Sequence, residues 1–152
     1  MRARELAQPY PTVTLGSPAL NAARLVADRH LPGVLVVDAD GAPYAILPAS
    51  RFVRLLVPSY VIEDPALAAV VDERHADRLC ASLADRAVAD ILPRERTAAP
   101  AVADDDTLLE VAALMARERS PLVAVMAEEP DGPRLIGVIT ASHLLDRLLS
   151  VA

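Results

Sequence analysis

The chain has 152 residues, 53% of them hydrophobic and 24% charged, which excludes wholesale disorder and fits one domain or two small lobes sharing a core. Its net charge of -6 argues against a binder of nucleic acid polymers, which needs clustered cations to neutralise phosphates. A single cysteine, Cys80, excludes an internal disulfide and a Cys-based zinc site. With no apolar stretch long enough for a bilayer, and no signal-like segment after Met1, the expectation is a cytoplasmic protein with no direct membrane insertion.

In chain order, Ala3-Arg4-Glu5-Leu6 leads into Pro11-Thr12-Val13-Thr14. Ser17-Pro18 reads as a helix start, a cap hydroxyl before proline, and Leu20, Ala23 and Ala27 continue at helical spacing. Pro32 bars the helical region to its predecessor, so the helix stops near Leu31. Val34 to Val37 reads as a buried strand, Asp38-Ala39-Asp40-Gly41 as a turn, Tyr44 to Leu47 as a strand and Ala49 to Val57 as a short helix. Between Tyr60 and Arg86 the composition is wrong for a flexible linker. Asp64-Pro65 opens a helix there, Leu67, Val70 and Val71 precede the charged Asp72-Glu73-Arg74, and Leu79, Leu83 and Val88 carry an apolar face. One or two extra helices packed on the body are predicted.

The second half repeats the first. Val88 to Pro93 leads into Pro100-Ala101-Val102, and Thr107 with Glu110 has capping-box spacing before the apolar face of Leu108, Val111, Ala112 and Met115. Leu122 to Met126 and Leu135 to Ile139 are strands around the turn Glu129-Pro130-Asp131-Gly132, and Ala141 to Leu149 closes as a helix. Ala22 to Ala27 lies over Val111 to Ala116, Pro32 over Pro121 and Ala49-Ser50 over Ala141-Ser142, with the second turn three residues longer. The division is therefore 1–58 for repeat one, 59–86 for a helical insert and 87–152 for repeat two. The class is α+β, each repeat running β-α-β-β-α.

Asp90-Ile91-Leu92-Pro93, Glu110 to Met115 and Leu135-Ile136-Gly137-Val138-Ile139-Thr140 before a helix carry a resemblance to tandem CBS (cystathionine beta-synthase) domains. The resemblance covers nearly everything but the insert. It implies two pseudo-symmetric repeats packed sheet against sheet with helices outside, two clefts between them, and a flat homodimer. It also implies an adenosine-type ligand (AMP, ADP, ATP or S-adenosylmethionine) whose occupancy is passed to a partner enzyme or transporter. The family's nucleotide signature is Gly, two apolar residues, Ser or Thr, two variable residues and Asp. Repeat two supplies Gly137, Ile139 and Thr140 but has His143 at the Asp position; repeat one has Ala45, Pro48 and Arg51 at the Gly, hydroxyl and Asp positions. Proline brings neither hydroxyl nor backbone donor and Arg only donates, so repeat one is a degenerate site. His143 donates to a ribose oxygen or phosphate, or accepts when neutral.

No catalytic or metal constellation is found elsewhere. His30, His75 and His143 share no ligand spacing, Cys80 and His75 point apart on a helix, and Asp104-Asp105-Asp106 reads as a cap. Asp38, Asp40 and Gly41 lack the later ligands of a calcium loop. The expectation is a non-catalytic regulatory or sensor module with no cofactor of its own. A ligand-free dimerisation or interaction scaffold, accessory to a transporter or enzyme, is the alternative.

Overall fold

In the computed structural model, residues 1–57, 59–70, 73–94 and 98–150 are described. The Val71–Asp72 step of the insert, and the side chains of Val70, Glu73, Arg74, His75 and Leu79, lie outside that set. Two mixed three-stranded sheets form, in the orders β1-β2-β3 and β4-β5-β6. In repeat one these are β1 (Thr12–Thr14), β2 (Gly33–Val37) and β3 (Pro43–Pro48), with α2 (Ala19–Asp28) after β1 and α3 (Ala49–Leu56) after β3. Repeat two has β4 (Ala101–Ala103), α7 (Leu108–Glu118), β5 (Leu122–Glu129), β6 (Gly132–Thr140) and α8 (Ala141–Ser150). Each sheet pairs its first strand parallel and its third antiparallel to the second. A bulge recurs at the same place, after Val36 in one and after Val125 in the other.

Five consecutive buried residues in β2 explain why its sequence is continuously apolar. Val34 and Val36 face the helices of repeat one, while Leu35 and Val37 face the other sheet. In β5, Val123 and Val125 likewise face helices, and Leu122 and Ala124 meet the first sheet together with Val138 of β6. The seam between the repeats is therefore a third apolar cluster, with a helical layer outside each sheet, as the resemblance implies.

The lead-in segments are exchanged between the repeats. Ala3 and Leu6 of α1 (Ala3–Leu6) are fully buried in the core of repeat two, whereas Val88 and Ile91 of α6 (Val88–Ile91) are buried in that of repeat one. Backbone bonds hold each crossing in the same way. Ala3 N–H donates to Asp106 O at 2.8 Å and Arg4 N–H to Asp104 O at 2.9 Å; Val88 N–H donates to Ser17 O at 2.8 Å and Ala89 N–H to Leu15 O at 3.0 Å. An isolated unit cut at 58 would thus lack the helix that closes its own core.

Local details differ from expectation in two places. The Ser17 hydroxyl does not cap α2; it accepts from Thr14 N–H at 3.0 Å, and Pro18 stands at the cap without a side-chain bond. The β5–β6 hairpin is longer than its apolar run, because pairing continues to Glu129–Gly132, where Gly132 takes φ +114°. Thr107 does form the capping box, its N–H donating to Glu110 Oε2 at 2.7 Å. These bonds to Thr107 hold the Glu110 carboxyl below its ordinary range. The insert folds as α4 (Ser59–Glu63), a 3-10 turn (Pro65–Val70) and α5 (Glu73–Ala84), whose buried Leu83 joins the core of repeat one.

The exchange makes a specific prediction. Leu6→Ala should destabilise the chain by about 2–5 kcal/mol, with hydrogen-exchange protection falling first in β4 to β6. Loss confined to β1 to β3 would contradict the crossing.

Candidate functional site

The two loops that precede β2 and β5 end helices in the same way. His30 and Arg119 occupy equivalent positions and both take φ +51°, the left-handed turn that closes a helix. Behind each, a six-residue-type bond returns to the helix: Leu31 N–H to Val26 O at 3.0 Å and Ser120 N–H to Met115 O at 3.2 Å. Sheet-on-sheet packing then carries the loop of repeat two to the end of β3 in repeat one.

On one side of the seam this leaves a cleft of about 170 Å³. Ile46 and Pro48 of β3, with Ala99, Pro100 and Pro121, give it apolar walls; Glu118, Arg119 and Ser120 give it polar ones. Glu118 supplies an acceptor and Arg119 a cation next to each other on an otherwise apolar slot. The Ser120 hydroxyl is engaged, donating to Leu122 O at 2.6 Å. Sequence reasoning passed over Glu118 and Arg119. The signal available was their place before Ser120-Pro121, which the repeat aligns with the loop before Pro32.

Of the three degenerate residues of repeat one, a single one reaches this cleft. Ala45 is 2% exposed and its methyl belongs to the helical core. Pro48 lines the cleft. Arg51 turns away to lead-in helix α6, its Nε donating to Ile91 O at 3.1 Å.

The repeat-two residues are placed differently. A Cβ at Gly137 would come within 2.8 Å of Gln8 O and 3.1 Å of Gln8 N. Gln8 forms a two-bond bridge with Val138, N–H to O at 3.0 Å and 2.9 Å. This glycine therefore admits the protein's own crossing chain. The Ile139 side chain is fully buried against helices, so contact with the seam from this residue is limited to its backbone. The Thr140 oxygen accepts from His143 N–H at 3.3 Å at the start of α8. His143 is half-buried, and its Nδ1 is buried with no hydrogen-bond partner among the described residues.

Across the pseudo-twofold, Tyr10 stands where Ala99 stands. Its phenol donates to Gly33 O at 2.6 Å, and its ring packs with the seam cluster. A ring thus occupies one seam position where a methyl occupies the other. Burial raises the phenol's pKa above its ordinary value of 10.0. A raised folded value means a contribution fully present below pH 10.0 and lost as pH rises through the folded value. Tyr10→Phe should lower stability at neutral pH by about 0.5–1.5 kcal/mol and flatten the alkaline limb of a stability-versus-pH curve. An unchanged alkaline limb would show that another group sets it.

Among the described residues no group of three or more His, Cys, Asp or Glu is placed to hold a metal, and no helix is long and apolar enough to cross a membrane. The CBS domain family matches residues 88–150. A CBS domain-containing protein of unknown function from Kribbella flavida is 48% identical, over 98% of this chain and 99% of that one, with a TM-score of 0.84. The CBS-pair protein CBSX2 from Arabidopsis thaliana shares the fold at 17% identity, over 99% and 95%, with a TM-score of 0.71. CBSX2 in complex with AMP aligns at 16% identity, over 99% and 97%, with a TM-score of 0.66. No curated protein matches the chain. The match at 48% identity over almost the whole length, joined to the two exchanged repeats, places this chain in the family of tandem CBS-domain proteins.

Proposed function

We propose that this CBS pair is a sensor that takes an adenosine-type ligand in the cleft between its repeats and so controls a partner protein. One observation carries the reading: the seam cleft joins an apolar slot to a carboxylate, Glu118, and a guanidinium, Arg119. A flat base suits the slot between Ile46, Pro48 and Pro100. Ribose hydroxyls suit the carboxylate and a phosphate or other anion suits Arg119, by complementary donor and acceptor chemistry. AMP bound to CBSX2 is consistent with this ligand class.

The cleft holds about 170 Å³, whereas sites for small molecules usually run to roughly 300–1,000 Å³. Seating a nucleotide therefore widens the seam. Because both repeats line it, occupancy favours one arrangement of the sheets over another, by no more than the ligand's differential affinity for the two. A homodimer, or a partner enzyme or transporter that touches both repeats, would read that difference. The mate seam, with Gly137, Thr140 and His143, belongs to the same proposal as the second position a ligand can test.

The alternative is a ligand-free scaffold. It is favoured by a specific observation: neither signature ends in a carboxylate, and Arg51 is engaged by Ile91 O.

Thermal shift and calorimetry with AMP, ADP, ATP and S-adenosylmethionine distinguish them. A ligand at about 100 times its Kd should add about 2.7 kcal/mol, and each kcal/mol moves the midpoint by about 2–4 °C. Arg119→Ala should weaken binding by about tenfold or more while Thr140→Val leaves it in place. Loss with Thr140→Val alone would move the site to the mate seam. No response to any of the four would leave the scaffold.

A further inference from the structure

The two seam positions are built from the same elements with different side chains. Tyr10 stands two residues before Thr12, which pairs with Leu35 of β2; Ala99 stands two before Ala101, which pairs with Ala124 of β5. By the same count Gly33 is the counterpart of Leu122, Leu31 of Ser120 and Arg29 of Glu118.

The open cleft is the space between Ala99 and loop 118–121, with Ile46 and Pro48 beside it. In the mate seam the Tyr10 ring spans that space. It starts from the lead-in, packs with the seam cluster, and its phenol donates to the carbonyl of Gly33, the residue that follows loop 29–32. Arg29 acts electrostatically on the phenol, which places it beside the wall that Glu118 forms in the open seam. Three positions differ together to seat the ring. Leu122 is fully buried in the seam cluster, whereas a Cβ at Gly33 would come within 2.6 Å of Leu47 O, so this position stays without a side chain and leaves room. Leu122 O takes the Ser120 hydroxyl at 2.6 Å; Leu31 has none to offer, and the Tyr10 phenol satisfies Gly33 O instead. An apolar ring with a polar tip suits a slot that ends on a carbonyl. Tyr10 is half-buried, so one edge of the ring stands open to solvent.

We propose that Tyr10 decides which seam admits a ligand: its ring is a built-in occupant of the mate seam, and the Thr140 side opens only when the ring is displaced. The kind of ligand rests on the sensor reading above; the place of the ring does not.

The test removes the ring and returns it. Tyr10→Ala gives the mate seam the methyl that the open seam has. Phenol, the missing ring as a free molecule, should raise the melting midpoint of Tyr10→Ala in a saturable way and leave the wild type unmoved. AMP calorimetry should count one site per chain in the wild type and two in Tyr10→Ala, the added site being removed by Thr140→Val. Tyr10→Phe, which keeps the ring, should stay at one. Tyr10→Val repeats both assays with more of the packing retained. No response to phenol in either small variant overturns the proposal, as does an AMP count that stays at one when the ring is removed. AMP bound by neither the wild type nor the small variants overturns the nucleotide reading instead, and the phenol response then decides the role of Tyr10 alone.

Discussion

Burial of Leu35 and Val37 against Leu122, Ala124 and Val138 is the contact on which the rest of the molecule depends. Each sheet has a helical layer on one face only, so its other face is apolar and stable only when covered. The second sheet provides the cover. A three-stranded sheet with one uncovered apolar face has too little buried surface to stand alone, and the two repeats therefore fold as one body. The seam that stabilises them is also where the end of β3 meets the loop before β5 of the opposite repeat. Any molecule entering there acts on a contact that both sheets share.

The exchanged helices follow from the same constraint. Each core has a gap between sheet and helices that its own segment does not fill; Leu6 fills one and Ile91 the other, both almost completely buried. To reach its place, the first segment must cross β6, and Gly137 is the position where a side chain would collide with Gln8. A residue type that the nucleotide signature and a close chain crossing both require is explained here by the crossing. That removes Gly137 as independent support for a ligand, though not Thr140 or His143.

Element order, the repeat and the strands were legible because they rest on local signals: the continuous apolar run of β2, helical spacing in α2 and α7, and the Thr107–Glu110 box. The exchange was not, because Ala3 and Leu6 lie about a hundred positions from Val102 and Val111, which they touch, and no periodicity encodes a partner at that distance. The Ser17 cap failed for a local reason, since the hydroxyl found the Thr14 N–H first. Of the seam, Pro48 was legible as a departure from a pattern. Glu118 and Arg119 were not, because their role exists only after the sheets have packed and the αL turn at Arg119 has aimed the loop.

The repeats are copies whose differences matter more than their likeness. Strict twofold symmetry would give two identical clefts, and a ligand would then see no preferred side. Instead Tyr10 faces one seam and Ala99 the other, Arg24 stands on α2 where Ala113 is its counterpart on α7, and α5 walls a single repeat. Each substitution leaves the fold intact, because it falls at a cleft, on a helix surface or in the insert, outside the interleaved valines of β2 and β5. The packing positions hold the two halves in register. The positions released from packing are those where one half differs from the other by a charge, a ring or an extra wall.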